Sequence, residues 1–138
     1  MSLAQPPVRI PRTIVNQILH HAQQSETEET CGLISGKKGE FRHCHAVANV
    51  AGDRRRLFQM DPKGQIDAMR HIREAGEELM AIYHSHPDAP ALPSATDIEQ
   101  DDYPEVLYLI VSLTTKGVLE LRGFYIRNNR VAEVPISI

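Results

Sequence analysis

The run Leu79-Met80-Ala81-Ile82-Tyr83 is apolar and β-favouring, and it ends directly on His84-Ser85-His86-Pro87. Such a run predicts a buried strand. Residues i and i+2 of a strand share a face, so His84 and His86 can aim at one point. Pro87 cannot continue a central strand, and the chain must turn there. Asp88-Ala89-Pro90-Ala91-Leu92-Pro93 follows as a Pro-rich loop, then Ser94-Ala95-Thr96-Asp97. That tetrapeptide predicts a helix start, with Ser94 as N-cap and an acid three residues on. Asp97 then falls in the first helical turn, where the loop can return it to the two histidines. Two imidazoles and a carboxylate with no fourth Cys or His form the donor set of a catalytic zinc site. A lone histidine is usually a packed or surface residue, and a lone S-x-x-D is usually only a capping box. The fixed joint register of all four residues is what points to chemistry.

The rest of the chain predicts a mixed α+β single domain spanning residues 1–138. A first helix is expected from Pro11 to Gln24, with Ile14, Val15, Ile18, Leu19 and Ala22 on one apolar face. Strands are expected at Cys31–Ser35 and Phe41–Val50, joined through Gly36-Lys37-Lys38-Gly39, and a short one at Leu57–Met60. Asp61 caps a second helix opened by Pro62, with Ile66, Met69, Ile72 and Arg73 on its inner side and Gly76 past its end. A short third helix ends before Pro104. Val106–Leu113 is the most apolar run and predicts a central strand. Val118–Ile126 and Arg130–Ile136 predict a closing hairpin across Asn128-Asn129. The sequence carries no internal repeat.

Fifteen basic against 18 acidic residues leave a net charge of −3. Without a basic face or basic–aromatic interleaving, nucleic acid is not an expected partner. No apolar run approaches the roughly 20 residues of a membrane span, and no charged-then-apolar leader opens the chain. A cytoplasmic protein is expected. Cys31 and Cys44 fall in predicted strands without a C-x-x-C and are expected as buried thiols. Arg54-Arg55-Arg56 is the single basic cluster, read either as a solvated turn or as a contact for an acidic partner. His43-x-His45 repeats the histidine spacing, but neither a proline nor a matching aspartate follows, and an outward strand face accounts for it. His20, His21 and His71 are expected on helix surfaces.

The segment His84-Ser85-His86-Pro87…Ser94-Ala95-Thr96-Asp97 resembles the signature of the JAMM (MPN+) metallopeptidase family, H-x-H-P, a spacer, then S-x-x-D. The upstream stretch Glu29-Thr30-Cys31-Gly32-Leu33-Ile34-Ser35-Gly36 resembles that family's glutamate-bearing element. Glu28 is adjacent, and the register favours Glu29. The likeness runs from about Arg9 to Val134 and is strongest to the short prokaryotic branch; Asp101-Asp102 departs from it. The resemblance implies a curved mixed sheet flanked by helices, related to cytidine deaminases. It implies Zn²⁺ on His84, His86 and Asp97, with Glu29 as general base and Ser94 as oxyanion donor. It also implies cleavage after the C-terminal Gly-Gly of a ubiquitin-like or sulfur-carrier protein, whose tail would add as a strand near Leu57–Met60. The alternative is a non-catalytic MPN-type scaffold, which would usually lack one of these residues. A nucleoside deaminase would need a C-x-x-C that the chain does not have, and a cell-wall peptidase would usually carry a second domain.

Overall fold

The computed structural model describes residues 6–100, 103–114 and 120–138. Its elements run β1 (Val8–Arg9), α1 (Arg12–Gln23), β2 (Cys31–Lys37), β3 (Glu40–Val47), α2 (Pro62–Glu74), β4 (Glu78–His86), α3 (Ala95–Glu99), β5 (Leu107–Ser112), β6 (Glu120–Arg127), β7 (Arg130–Val134) and β8 (Ile136–Ser137). Six strands form one mixed sheet in the order β3-β2-β4-β5-β6-β7. The β4–β5 pair is parallel and the other neighbours are antiparallel. A separate parallel pair, β1–β8, ties the start of the described chain to its end.

The strand carrying the two histidines is central, between β2 and β5. Both of its faces are therefore covered, which is why it reads as a continuous apolar run rather than an alternation. Ala81 and Tyr83 join the core beneath α1, with Ile14, Ile18, Ile34 and Leu109. Ile82 joins the core beneath α2, with Leu33, Ile72 and Ile110. By the same alternation His84 and His86 fall on the α2 face. Gly32, opposite Tyr83, is required by packing. A Cβ there would come within 2.5 Å of the His45 carbonyl oxygen and run into the Tyr83 hydroxyl.

Most boundaries follow local chemistry. The β2–β3 turn places Lys38 and Gly39 at positive φ (55° and 80°), and the β6–β7 turn does the same at Asn128 and Asn129 (51° and 61°). This double positive φ is the tight-hairpin solution whose twist suits the flanking strands. Asp61 Oδ2 accepts from the Gly64 N–H at 3.1 Å and caps α2 as expected.

Three expectations are corrected. Pro11 is the N-cap of α1 rather than part of its first turn. Ile66 is 60% exposed and Arg73 is exposed, while Ala68 and Ile72 are buried. A start at Pro62 sets the phase of α2, and Ile66 lies two residues, about 200°, from Ala68. Leu57–Met60 is not a strand: it pairs through a single bridge, Asn49 with Met60. Val118 of the predicted hairpin and Asp101-Asp102 lie outside the described residues. No described helix is long and apolar enough to cross a membrane.

Candidate functional site

The site is built where β4 ends. His84 pairs with Cys31 of β2 and Ile110 of β5, and His86 pairs with Ser112. The loop after Pro87 is pinned at two points. Ser112 Oγ donates to the Ala89 carbonyl at 2.7 Å, and Glu120 Oε1 accepts from the Ala91 N–H at 3.0 Å. His86 Nδ1 donates to the Pro90 carbonyl at 2.8 Å. That bond fixes the tautomer and leaves the Nε2 lone pair facing the site, as outer partners of ligating histidines commonly do. The Phe58 ring stacks on His84 with centroids 4.5 Å apart and planes 24° from parallel.

The loop delivers α3 as a reciprocal cap. Ser94 Oγ accepts from the Asp97 N–H at 3.1 Å, and Asp97 Oδ2 accepts from the Ser94 N–H at 2.9 Å. This locks the Asp97 carboxylate against the histidines. Its Oδ2 is 3.1 Å from His84 Nε2 and 3.3 Å from His86 Nε2, and the two nitrogens are 3.1 Å apart. All three side chains are buried. Burial raises the Asp97 carboxyl pKa, but hydrogen bonds from both histidines and the Ser94 N–H outweigh it and hold the group far below the usual carboxylate range. Burial likewise lowers the His86 pKa, but Asp97 and the Pro90 carbonyl turn the net shift upward.

Glu29 sits at the mouth of β2. Glu29, His84 and His86 form a buried group that could hold a metal, with a carboxylate oxygen of Glu29 within 4.8 Å of both imidazoles. Burial, only partly offset by His86 and reinforced by Asp97 and Asp53, pushes the Glu29 carboxyl up to about 8. Glu28 points elsewhere, 3.0 Å from Arg54 Nε. Of the two adjacent glutamates, Glu29 is the one beside the histidines.

One buried carboxylate oxygen at this centre, Glu29 Oε1, has no hydrogen-bond partner among the described residues. Leaving such an atom unsatisfied is costly. A tetrahedral ion with ligands at roughly 2.0–2.1 Å places the ligand atoms about 3.3 Å apart, close to the spacings of the His84–His86–Asp97 triangle. The residues present thus fit a divalent cation.

Several supporting groups carry no signal in the sequence. Asn49 Nδ2 donates to the Glu29 carbonyl (2.9 Å) and the Leu57 carbonyl (3.0 Å), while its Oδ1 accepts from the N–H groups of Ala51 and Gln59, both at 3.0 Å. One amide thus binds the Glu29 segment to the Phe58 segment. The Glu29 N–H donates to the Arg54 carbonyl at 2.7 Å. Beside the centre opens a cavity of about 570 Å³ whose walls include Glu29, His86, Ser94, Arg55 and Arg56.

The second histidine pair lies apart from this centre. His43 Nδ1 is 2.9 Å from both Glu77 oxygens, and Ser35 Oγ donates to Glu77 Oε1 (2.7 Å) while accepting from His45 Nε2 (2.8 Å). His43 faces outward as expected, but His45 is half-buried in this network. His21 is also no simple surface residue. It is half-buried, with Nδ1 2.7 Å from the Tyr83 hydroxyl. Cys31 is buried, Cys44 half-buried, and both thiols are free.

Residues 11–122 match the family described as prokaryotic homologs of the JAB domain. The chain is 34% identical to a desampylase of Haloferax volcanii over 70% of this chain and 74% of that one. It is 30% identical to a CysO-cysteine peptidase of Mycobacterium tuberculosis over 91% and 86% of the two chains. A solution structure of a Desulfitobacterium hafniense protein superposes with a TM-score of 0.83 at 29% identity, covering 94% of this chain and 90% of that one. A JAB1/MPN domain protein of Archaeoglobus fulgidus shares the fold at a TM-score of 0.58. With a match over most of its length, the chain belongs to the prokaryotic branch of the JAB domain family.

Proposed function

We propose that this protein is a zinc-dependent peptidase that cleaves after the C-terminal Gly-Gly of a ubiquitin-like or sulfur-carrier protein. The observation that carries the reading is the buried triangle of His84 Nε2, His86 Nε2 and Asp97 Oδ2, with a second carboxylate, Glu29, beside it. Relatives named desampylase, CysO-cysteine peptidase and probable TtuB-protein conjugate cleaving protease support the substrate class.

In this reading His84, His86 and Asp97 hold Zn²⁺. Bound there, the ion supplies Lewis acidity and brings water toward ionisation near neutral pH. Glu29, buried beside both imidazoles with no hydrogen-bond partner for its Oε1 among the described residues, takes the proton of the attacking water and passes it to the leaving amine as the C–N bond breaks. Ser94 Oγ already accepts the cap bond from Asp97, so its own proton is free to donate to the developing oxyanion. Phe58 and the Pro90 carbonyl orient the two imidazoles. The carrier tail enters by the cleft of about 270 Å³ beside Phe58, Met60, Gln65 and Tyr103.

The test is mass spectrometry of a carrier protein ending in Gly-Gly plus one or two residues, incubated with the zinc-loaded protein. The expected product ends at Gly-Gly, and Glu29→Gln yields none. An intact carrier under all conditions would instead favour a non-catalytic scaffold.

A further inference from the structure

Three arginines run in sequence over the site, and they are not equivalent. The Arg54 guanidinium is taken by Glu28 at 3.0 Å. Arg55 and Arg56 make no ion pair among the described residues, yet both line the cavity that contains Glu29, His86 and Ser94. Their backbone is tied to the site: the Arg54 carbonyl accepts from Glu29, and the N–H groups of Arg56 and Leu57 close a turn onto the Asp53 carbonyl at 3.3 and 3.0 Å. Neither guanidinium is engaged by the acidic residues on the same wall, Glu26, Glu29 and Asp88, so both are available to a ligand beside the proposed centre.

The two clefts differ in charge. The Phe58 side is lined by uncharged residues, Met60, Tyr103 and Tyr108 with three glutamines, Gln59, Gln65 and Gln100. The Glu29 side carries the two guanidiniums. A peptide bond split between them sends its acyl part to one side and its amine part to the other. With the Gly-Gly tail on the uncharged side, the leaving group lies against Arg55 and Arg56. A leaving residue without an acidic side chain presents an anion of its own only when it is the chain terminus, with a free α-carboxylate.

We infer that Arg55 and Arg56 bind the α-carboxylate of a C-terminal leaving residue, making the substrate class a carrier ending Gly-Gly-X with X terminal rather than a lysine isopeptide. The inference rests on the peptidase reading above and narrows it. Guanidinium groups suit planar carboxylates through paired N–H donors. Glu26 and Asp88 share the cavity wall, so an acidic side chain on X is disfavoured.

The test compares two tail peptides ending Gly-Gly-X, one a free acid and the other a C-terminal amide. Zinc-loaded protein is expected to cleave the acid with a kcat/KM about tenfold higher, mostly through KM. Arg55→Gln/Arg56→Gln should bring the acid-to-amide ratio close to one, with partial recovery in the double Lys variant. Arg54→Gln, whose partner is Glu28, should keep the ratio. Calorimetric binding of the same peptides to Glu29→Gln protein should show the same acid preference without turnover. Equal cleavage of acid and amide by the unaltered protein, or an unchanged ratio in the double Gln variant, overturns the inference and leaves the peptidase reading standing. Cleavage of neither peptide removes both.

Discussion

Ser85 Oγ lies 2.8 Å from the backbone nitrogen of Thr30 and accepts its proton. Ser85 sits between the two histidines, and Thr30 follows Glu29. The Thr30 hydroxyl donates to the same oxygen at 3.1 Å, and the Ser85 N–H returns a bond to the Thr30 carbonyl at 2.9 Å. One fully buried serine therefore sets the distance between the glutamate and the imidazoles, from the opposite face of the strand. Ser85→Ala strands the Thr30 donor and should cost about 1–3 kcal/mol in denaturant unfolding. Because it loosens Glu29 relative to the histidines, kcat should fall at least about tenfold. Unchanged kcat in a destabilised Ser85→Ala protein would confine the bond to folding.

Ser94 has two tasks that one substitution separates. Ser94→Ala removes the cap on α3, at a cost of about 1 kcal/mol. If its hydroxyl also donates to the oxyanion, kcat should drop by about two orders of magnitude with little change in KM. Metal content should hold, since the Ser94 bond to Asp97 Oδ2 comes from its backbone N–H. A loss of metal that parallels the loss of rate would assign Ser94 to positioning Asp97 alone.

The Glu77 network gives a pH signature away from the catalytic centre. Hydrogen bonds from His43 and Ser35 hold the Glu77 carboxyl below its ordinary value of 4.5. A carboxyl with a folded-state pKa below its unfolded one stabilises the fold above the unfolded value, and that stability is lost as pH falls through the folded one. The melting temperature should therefore decline as pH falls below about 4.5. Glu77→Gln should remove part of that slope. An identical slope in the variant would show the network to be energetically silent.

The parts of the site legible in the sequence are those made by neighbours along the chain. His84 and His86 share a face because strands alternate, and Ser94 and Asp97 cap each other because a helix start requires it. Glu29 was legible only through a family pattern, since its approach to the histidines depends on β2 pairing with β4. Asn49, Phe58, Ser85 and the Pro90 carbonyl were not legible. Each acts through a contact fixed by tertiary packing, with no period or spacing to mark it. Ile66 lies outside the core because Asp61 and Pro62, not its apolar character, set the phase of α2. His21 leaves the helix surface because its partner, the Tyr83 hydroxyl, lies 62 residues away in the sequence.

The division of labour between the two carboxylates is the central claim, and zinc stoichiometry measured alongside turnover tests it most directly. The unaltered protein and Glu29→Gln should each carry one zinc per chain, with turnover only in the former. Asp97→Ala should lose both metal and turnover. A Glu29→Gln protein that cannot retain zinc, or an Asp97→Ala protein that keeps it, would contradict the assignment of Asp97 as ligand and Glu29 as base.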